Sequence, residues 1–156
     1  MKKQIRSFLC AFKGVFSAIS TEAHLRFHLV AAFYVIFFGA LGDFSPFEWA
    51  VLILTISAVI FAELTNTALE NLCDLYSKDY NLKIKRIKDI AAGAVLIPAI
   101  ASVVIAILLF ILTGNISNIL SKLTSEPLWF VPLGVSVITS LLFLSLPKSK
   151  NKKDKE

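Results

Sequence analysis

The sequence is poor in the residues from which many active sites are built, with only two cysteines and two histidines among 156 residues. Cys10 and Cys73 are not spaced as a metal-binding pair, and we expect them to be free thiols at the cytoplasmic edge of the protein. His24 and His28 lie four residues apart and can share a helix face, but a third ligand for a zinc site is missing. We therefore interpret both as ordinary interfacial histidines.

Charged residues are also scarce, at 17% of the chain, whereas 56% of the residues are hydrophobic. The mean hydropathy of +0.75 far exceeds that of a soluble domain of this length, so we predict an integral membrane protein that forms one compact unit. Lys13 interrupts the first apolar run, which argues against a cleaved signal peptide. No basic and aromatic soluble surface is visible, so we expect no nucleic-acid partner.

Hydrophobic periodicity predicts an all-α membrane protein. Residues 1–21 form an amphipathic pattern with a basic face and an aromatic face, which is typical of a helix on the membrane surface. Three membrane spans are predicted at about 25–41, 47–76 and 87–112, with a turn at 42–46 and a loop at 77–85. Residues 113–146 are predicted to be a linker and an additional fourth span, followed by a basic tail at 147–156.

The positions of lysine and arginine predict the orientation. Of the sixteen such residues, five lie in 1–26, five in 77–88, five in the tail and one in 113–126. Four crossings therefore place fifteen of the sixteen on one side, which the positive-inside rule identifies as cytoplasmic. We expect both termini on that side, and the basic groups to face anionic lipid headgroups. Asp43 and Glu48, on the opposite side, are expected to be solvated turn residues.

A stripe of polar residues interrupts the second predicted span: Glu63, Asn66, Thr67, Glu70 and Asp74. Their spacing puts all five on one helix face. Ionisable groups at membrane depth are costly and are usually retained for function. A structural role stays open, since Glu70 and Asp74 can be solvated or paired with Lys78, and Glu63 can join a buried interhelical bond.

Two further charged clusters are predicted at the same end of the molecule. Glu22 precedes the first span with Arg26 one turn later, and a basic segment begins the third span, with Lys83, Lys85, Arg86, Lys88 and Asp89. Carboxylates facing lysines at a membrane surface suit Mg²⁺ that carries phosphates, because Mg²⁺ takes oxygen ligands and lysines offset the remaining charge. The layout fits a membrane enzyme that uses a nucleotide.

The same segments resemble a known family. The pattern Glu-x-x-Asn-x-x-x-Glu-x-x-x-Asp from Glu63 to Asp74, followed by Lys-Asp-x-Ala-Ala-Gly-Ala from Lys88 to Ala94, is similar to the small bacterial diacylglycerol kinase and undecaprenol kinase family. Residues 11–14 and 21–30 match in order and spacing. The resemblance implies a lipid kinase domain at 1–112 in the bacterial cytoplasmic membrane, assembled as a homotrimer with active sites shared between neighbouring subunits.

The resemblance also implies catalytic and metal-binding roles. Glu63 matches the general base that takes the proton of the lipid hydroxyl. Glu22 and Glu70 match the carboxylates that hold Mg²⁺ on the phosphates of ATP. Asn66 and Asp74 match polar positions that support the site.

Nucleotide contacts are implied at five further positions. Lys88 and Asp89 match nucleotide-contacting residues, and Asp79 and Tyr80 fall in the loop that covers the nucleotide in the family. Cys10 stands where the family often has tyrosine, on the surface helix that helps to hold the nucleotide. The additional fourth span is absent from the usual family members.

Undecaprenol is the acceptor lipid that we favour, because residues 22–30 and 90–97 look more like the Gram-positive branch, which is associated with that lipid. Diacylglycerol stays open, since both lipids present a primary hydroxyl. The alternative of a non-catalytic membrane bundle or a small ion carrier, in which Glu63 and Glu70 bind a cation, is disfavoured because transport predicts ionisable groups through the full depth of the membrane and the outer halves of the spans supply none. A lipid phosphatase is disfavoured because the chain has only three arginines and we expect no histidine near the stripe.

Overall fold

The computed structural model describes residues 2–76 and 80–147, and within these ranges the chain is helical without strands. The α-helices are α1 (Lys2–Thr21), α2 (Ala23–Leu41), α3 (Pro46–Tyr76), α4 (Leu82–Ile107), α5 (Asn115–Ser125) and α6 (Phe130–Ser145). A π-helical stretch, Leu108–Leu112, extends α4, and a 3₁₀ turn, Pro127–Trp129, precedes α6. Four helical segments of the described chain are long and apolar enough to cross a membrane: Ala23–Leu41, Pro46–Tyr76, Leu82–Leu112 and Pro127–Ser145. The prediction of an all-α membrane protein is confirmed.

Helix α1 is separated from α2 by a single residue in an extended conformation. Glu22 has φ −104° and ψ 114°, which ends one helix and begins the next. Helix α1 packs against α2 and α3. Its large apolar side chains stay outside the bundle, with Phe8 and Phe16 each 68% exposed. This exposed aromatic face suits burial in the lipid interface.

The turn between α2 and α3 carries the apolar core of the bundle. Asp43 has a left-handed φ of 57°, which aspartate tolerates better than most residues. Phe44 then folds back and forms a buried cluster with Leu52 and Leu109. A Cβ at Gly39 would lie 3.3 Å from the Phe44 ring, so this glycine permits the close approach. The core therefore lies at the far end of the bundle from Glu63.

A capping box starts α3 immediately after this turn. The Ser45 amide donates to Oε2 of Glu48 (2.7 Å), and the Glu48 amide donates to Oγ of Ser45 (3.3 Å). Pro46 occupies the first helical position, where its missing N–H costs nothing. Glu48 is thus a helix-capping group, and the expectation of a solvated turn residue was wrong.

Helix α4 begins earlier than the predicted third span. Asn81 is extended, and its side chain accepts a hydrogen bond from the Lys83 amide (2.9 Å), which caps the helix at Leu82. The loop predicted at 77–85 is therefore shorter, and Lys83, Lys85 and Arg86 lie in the first turns of α4. Helices α3 and α4 form the most extensive packing between elements in the described chain.

The segment predicted as a linker is helix α5, which is fastened to the turn between α2 and α3. Nζ of Lys122 lies 2.7 Å from Oδ1 of Asp43, so that residue is also paired rather than simply solvated. The Asn115 amide donates to Oε1 of Glu48 over 2.7 Å. Gly114, with φ of 81°, provides the left-handed residue that reverses the chain before α5.

Helix α6 packs along α2. The rings of Phe37 and Trp129 lie 6.2 Å apart between centroids, and the Tyr34 hydroxyl is 3.4 Å from Oγ of Ser136 and 3.3 Å from Oγ of Ser140. Since later residues of α6 meet earlier residues of α2, the two helices run antiparallel. No residue of α6 is buried. The predicted tail lies outside the described residues from Lys148 onward.

Candidate active site

The polar stripe on α3 passes from the protein interior to the surface. Glu63 and Thr67 are buried, with 5% and 7% exposure, whereas Asn66 and Glu70 are half-buried. Asp74 is near the end of the helix, and its side chain is 64% exposed. The rise of the helix separates Glu63 from Glu70 by roughly 10 Å. One helix face therefore presents carboxylates at two different depths.

Glu63 is paired with a histidine. Nε2 of His28, on α2, lies 3.0 Å from Oε1 of Glu63. The expectation that no histidine lies near the stripe was therefore wrong. Periodicity within α3 could not show this contact, because it depends on how α2 packs against α3. The sequence signal that could have pointed to this contact is that His28 lies in the same segment as Glu22, another predicted site residue.

Residues of the polar stripe form hydrogen bonds with one another along α3. The Asn66 amide donates to Oε1 of Glu70 over 3.0 Å, and the Thr67 hydroxyl donates to the backbone carbonyl of Glu63 over 3.0 Å. Oδ1 of Asn66 is buried and has no hydrogen-bond partner within the part of the chain that the structure describes. These contacts orient Glu70, and they leave a buried acceptor on Asn66.

The basic start of α4 reaches the outer end of the stripe. Nζ of Lys88 forms an ion pair with Oδ1 of Asp74. The Lys88 side chain is 35% exposed, so the pair is open to water. The structure thus joins two of the predicted site residues. The alternative partner, Lys78, lies outside the described residues.

The break between α1 and α2 supplies another acidic group. Glu22 is half-buried there, and its side chain makes no capping hydrogen bond to α2. Arg26, one turn later, is only 3% exposed, and its Nε has no hydrogen-bond partner among residues 2–76 and 80–147. A buried guanidinium near this break adds positive charge at the end of the bundle where α1 meets α2.

The remaining predicted site residues lie at the surface. Cys10, Tyr80 and Asp89 are exposed, and Asp79 lies outside the described residues. Cys10 and Cys73 are both free thiols, as expected, and Cys73 is buried. These three side chains are therefore accessible from outside the bundle, unlike Glu63, which is buried.

Two hollows border the stripe. A cavity of about 210 Å³ lies between α2, α3 and α4; His28 lines it together with mostly apolar side chains such as Ala32, Val59 and Val103. A groove of about 450 Å³ lies between α1 and α3, where small and polar side chains line it, among them Gly14, Ser17, Thr67 and Asn71. Thr67 of the stripe lines the groove beneath the surface helix. The cavity reaches the stripe through His28, which lines it and contacts Glu63.

A metal ion would have to use few protein ligands. Among the residues described, no group of three or more histidine, cysteine, aspartate or glutamate side chains is arranged to hold a metal. Mg²⁺ commonly takes one or two carboxylates and fills its other positions with water and phosphate oxygens. Glu22 and Glu70 supply hard oxygen ligands of this kind, so the residues present fit a magnesium ion that arrives with a nucleotide.

Comparison with known proteins places the chain among bacterial lipid kinases. The family model described as prokaryotic diacylglycerol kinase matches residues 9–110. The undecaprenol kinase of Bacillus subtilis (strain 168) is 35% identical over 111 residues, covering 71% of this chain and 90% of that protein. The diacylglycerol kinase of Synechocystis sp. is 41% identical over 100 residues, covering 64% of this chain and 57% of that protein. No solved structure matches the chain closely enough to count as a relative.

These matches define a class and a family. The protein is a membrane enzyme of the lipid kinase class. The chain belongs to the prokaryotic diacylglycerol kinase family, and the matched region contains α2, α3, α4 and all of the predicted site residues. Helices α5 and α6 lie beyond it.

Proposed function

We propose that this enzyme transfers the γ-phosphoryl group of ATP to the hydroxyl of undecaprenol at the cytoplasmic surface of the membrane. The observation that carries the proposal is the buried carboxylate of Glu63, placed beside an apolar cavity and seven residues from Glu70 on the same face of α3. A lipid alcohol and a water-soluble nucleotide need such a junction between an apolar and a polar compartment.

The cavity between α2, α3 and α4 supports the lipid side of this proposal. It lies next to the His28–Glu63 pair and continues along α2 to Val35 and along α3 to Leu52. A lipid whose tail lies among these helices has its hydroxyl at the polar end, where Glu63 stands. A carboxylate positioned within hydrogen-bond reach of an alcohol is a common general base for such a transfer.

The groove beneath α1 and the charged groups around it support the nucleotide side. Glu22 and Glu70 would hold Mg²⁺, which when bound neutralises phosphate charge as the phosphoryl group is transferred. Lys88 adds a positive charge at the outer end of the stripe. We assign Asp89, Asp79, Tyr80 and Cys10 to the nucleotide periphery on the family resemblance alone.

The reaction needs little covalent chemistry from the protein. Glu63 accepts the proton of the lipid hydroxyl, the hydroxyl oxygen forms a bond to the γ-phosphorus, and the bond from that phosphorus to the β,γ-bridging oxygen breaks, releasing ADP. Asn66 orients Glu70 through the 3.0 Å hydrogen bond described above. Catalysis of this kind depends chiefly on positioning and charge stabilisation.

Assembly is part of the same proposal. The family resemblance implies a homotrimer in which neighbouring subunits complete each active site. The sparse metal ligation among the described residues of one chain is consistent with a site that gains further groups from a neighbour. Cross-linking in detergent, followed by mass determination, measures the subunit number.

The coverage of the relatives supports the choice of undecaprenol as the acceptor lipid. The undecaprenol kinase relative is matched over 90% of its length, whereas the diacylglycerol kinase relative is matched over only 57%. We therefore propose undecaprenol as the acceptor. Diacylglycerol is the second candidate, since the Synechocystis protein has the higher identity, 41% against 35%.

Purified enzyme assayed with γ-phosphate-labelled ATP and each lipid separately tests the proposal. We expect label transfer to undecaprenol with a higher kcat/KM than to diacylglycerol, and the reverse order would reassign the substrate. Glu63→Gln should lose about 10²- to 10⁴-fold in kcat while retaining ATP binding. Glu126→Gln, an exposed change outside the site, is the matched control. Full turnover by the Glu63→Gln enzyme would refute the assigned base.

A further inference from the structure

We propose that His28 is a positioning residue that holds the carboxylate of Glu63 in the orientation required to accept the hydroxyl proton. The inference rests on the proposed role of Glu63 as the general base, and it adds a second residue, from a different helix, to the reaction site.

The geometry places His28 between the base and the lipid cavity. Nε2 of His28 is 3.0 Å from Oε1 of Glu63, and the exposed fractions of the two side chains are 21% and 6%. The same histidine lines the cavity between α2, α3 and α4. His28 therefore contacts both the cavity proposed for the lipid and the carboxylate proposed as the base.

The chemistry of the two groups fixes the direction of the hydrogen bond. An ionised carboxylate can only accept, so Nε2 of His28 must carry the hydrogen and donate it to Oε1 of Glu63. A buried carboxylate without a donor incurs a large desolvation cost, which this bond offsets. With Oε1 engaged, Oε2 is the oxygen left to take the proton of the lipid alcohol.

The bond also restrains rotation of the carboxylate. Glutamate has three side-chain torsions, and an unrestrained carboxylate would sample orientations that point neither oxygen at the acceptor. His28 comes from α2, so its donor is fixed relative to α3 by the packing of the two helices. A small loss of this alignment lowers the rate of transfer without changing the affinity for ATP.

Three substitutions at His28 separate positioning from simple packing. In His28→Gln, the side-chain amide nitrogen lies close to the position of Nε2 and can still donate to Glu63. The asparagine side chain of His28→Asn is too short to reach Glu63, and the leucine of His28→Leu has no donor. We expect kcat of His28→Gln to stay close to wild type. The other two should lose about 10- to 100-fold in kcat with an unchanged KM for ATP.

His24→Leu is the matched control, since His24 is exposed on the same helix one turn earlier. It should retain wild-type kcat. Monodispersity in detergent and ATP affinity confirm that each variant is folded. If His28→Leu does not fold, the comparison of His28→Gln with His28→Asn, both polar, still measures the effect of donor reach.

The possible results distinguish this inference from the proposed function. Wild-type turnover in folded His28→Asn and His28→Leu, beside an inactive Glu63→Gln, rejects the role of His28 and leaves the base intact. An equal loss in all three His28 variants also rejects positioning through a donor. Turnover in Glu63→Gln, or no phosphorylation of either lipid by the wild-type enzyme, rejects the proposed function itself.

Discussion

The polar side chains of α3 differ in what their surroundings allow them to do. Glu63 is buried and bonded to His28, so loss of the histidine leaves a buried carboxylate without its donor. Asp74 and Lys88 are paired where water reaches both. Exposed pairs contribute little to stability. The Asp74–Lys88 pair therefore needs another explanation for its position beside the site.

We expect the Asp74–Lys88 pair to affect nucleotide binding more than stability. Lys88→Gln should change the free energy of unfolding by less than about 1 kcal/mol. The same change should raise the KM for ATP, because a charge that offsets phosphate is removed. Asp74→Asn is the comparison, since it breaks the same pair without removing the lysine charge. Thermal unfolding and initial rates at varied ATP concentration measure both effects.

A purely structural pair would give a different pattern. Lys88→Gln and Asp74→Asn would then shift the midpoint of unfolding equally and leave the KM for ATP unchanged. The exchanged variant, carrying Asp74→Lys and Lys88→Asp together, would restore the midpoint if only the pair mattered. Restored stability with a raised KM for ATP supports the role assigned to Lys88.

The sequence pattern predicted the polar stripe but not the histidine that contacts Glu63. Glu63, Glu70 and Asp74 share a face because helical periodicity acts within one segment, and a sequence shows this directly. His28 reaches Glu63 across the packing of two helices, and neither sequence spacing nor composition specifies that contact. The roles of the predicted site residues remain predictions until turnover is measured.

At the scale of elements, the membrane spans were predictable because their length and apolar composition are set by the bilayer. The shorter structures were harder to predict. Helix α5 has only eleven residues, and its position depends on contacts with the turn between α2 and α3. The start of α4 depends on Asn81, which caps the helix within a segment that reads as a polar loop.

Asn115 is the main polar link between α5 and the rest of the bundle. It is 8% exposed, and its amide nitrogen, which has two hydrogens to donate, lies 2.7 Å from Oε1 of Glu48, 2.9 Å from the Leu109 carbonyl oxygen and 2.8 Å from the Thr113 hydroxyl oxygen. Asn115→Ala removes these bonds from a buried position, although the Thr113 hydroxyl still donates to the Leu109 carbonyl over 2.6 Å. We expect a loss of about 1–3 kcal/mol in the free energy of unfolding. The site is at the other end of α3, so kcat should stay at its wild-type value below the unfolding transition.

Asn118→Ala provides the matched control for Asn115→Ala. Asn118 is exposed, and it makes a single long bond of 3.4 Å to the Gly42 carbonyl. Its removal should shift the unfolding midpoint much less. Equal shifts for the two variants would mean that burial and bond number at Asn115 do not determine how α5 is held.

At the scale of the whole molecule, the family region and the added helices are separate parts of the chain. The matched residues 9–110 contain the polar site, whereas α6 packs along α2 with none of its residues buried. Because α6 runs antiparallel to α2, it ends near the level where α2 begins. That direction agrees with the predicted fourth crossing, which returns the lysine-rich tail to the side of the chain that carries most of the basic residues.

The charge distribution predicts that α1 faces the cytoplasm and α5 faces the opposite side. Two proteins with a single thiol each can test this orientation. In the first, Cys73→Ala leaves Cys10, which is exposed on α1, as the thiol that reports on one side. In the second, Cys10→Ser and Cys73→Ala remove both native thiols, and Ser121→Cys introduces one at an exposed position of α5.

A membrane-impermeant maleimide distinguishes the two sides, because it reacts only with thiols on the face of the bilayer to which it is added. When the maleimide is added to cells whose outer layers admit it and whose cytoplasmic membrane is intact, it should label only the second protein, through the thiol introduced at position 121. In inside-out vesicles it should label only the first, through Cys10. Three spans, α2, α3 and α4 with its π-helical extension, separate α1 from α5, and an odd number of crossings must leave the two thiols on opposite faces. Labelling of both proteins from the same side would therefore contradict the three crossings, and labelling in the reverse order would place the active site on the wrong face for ATP.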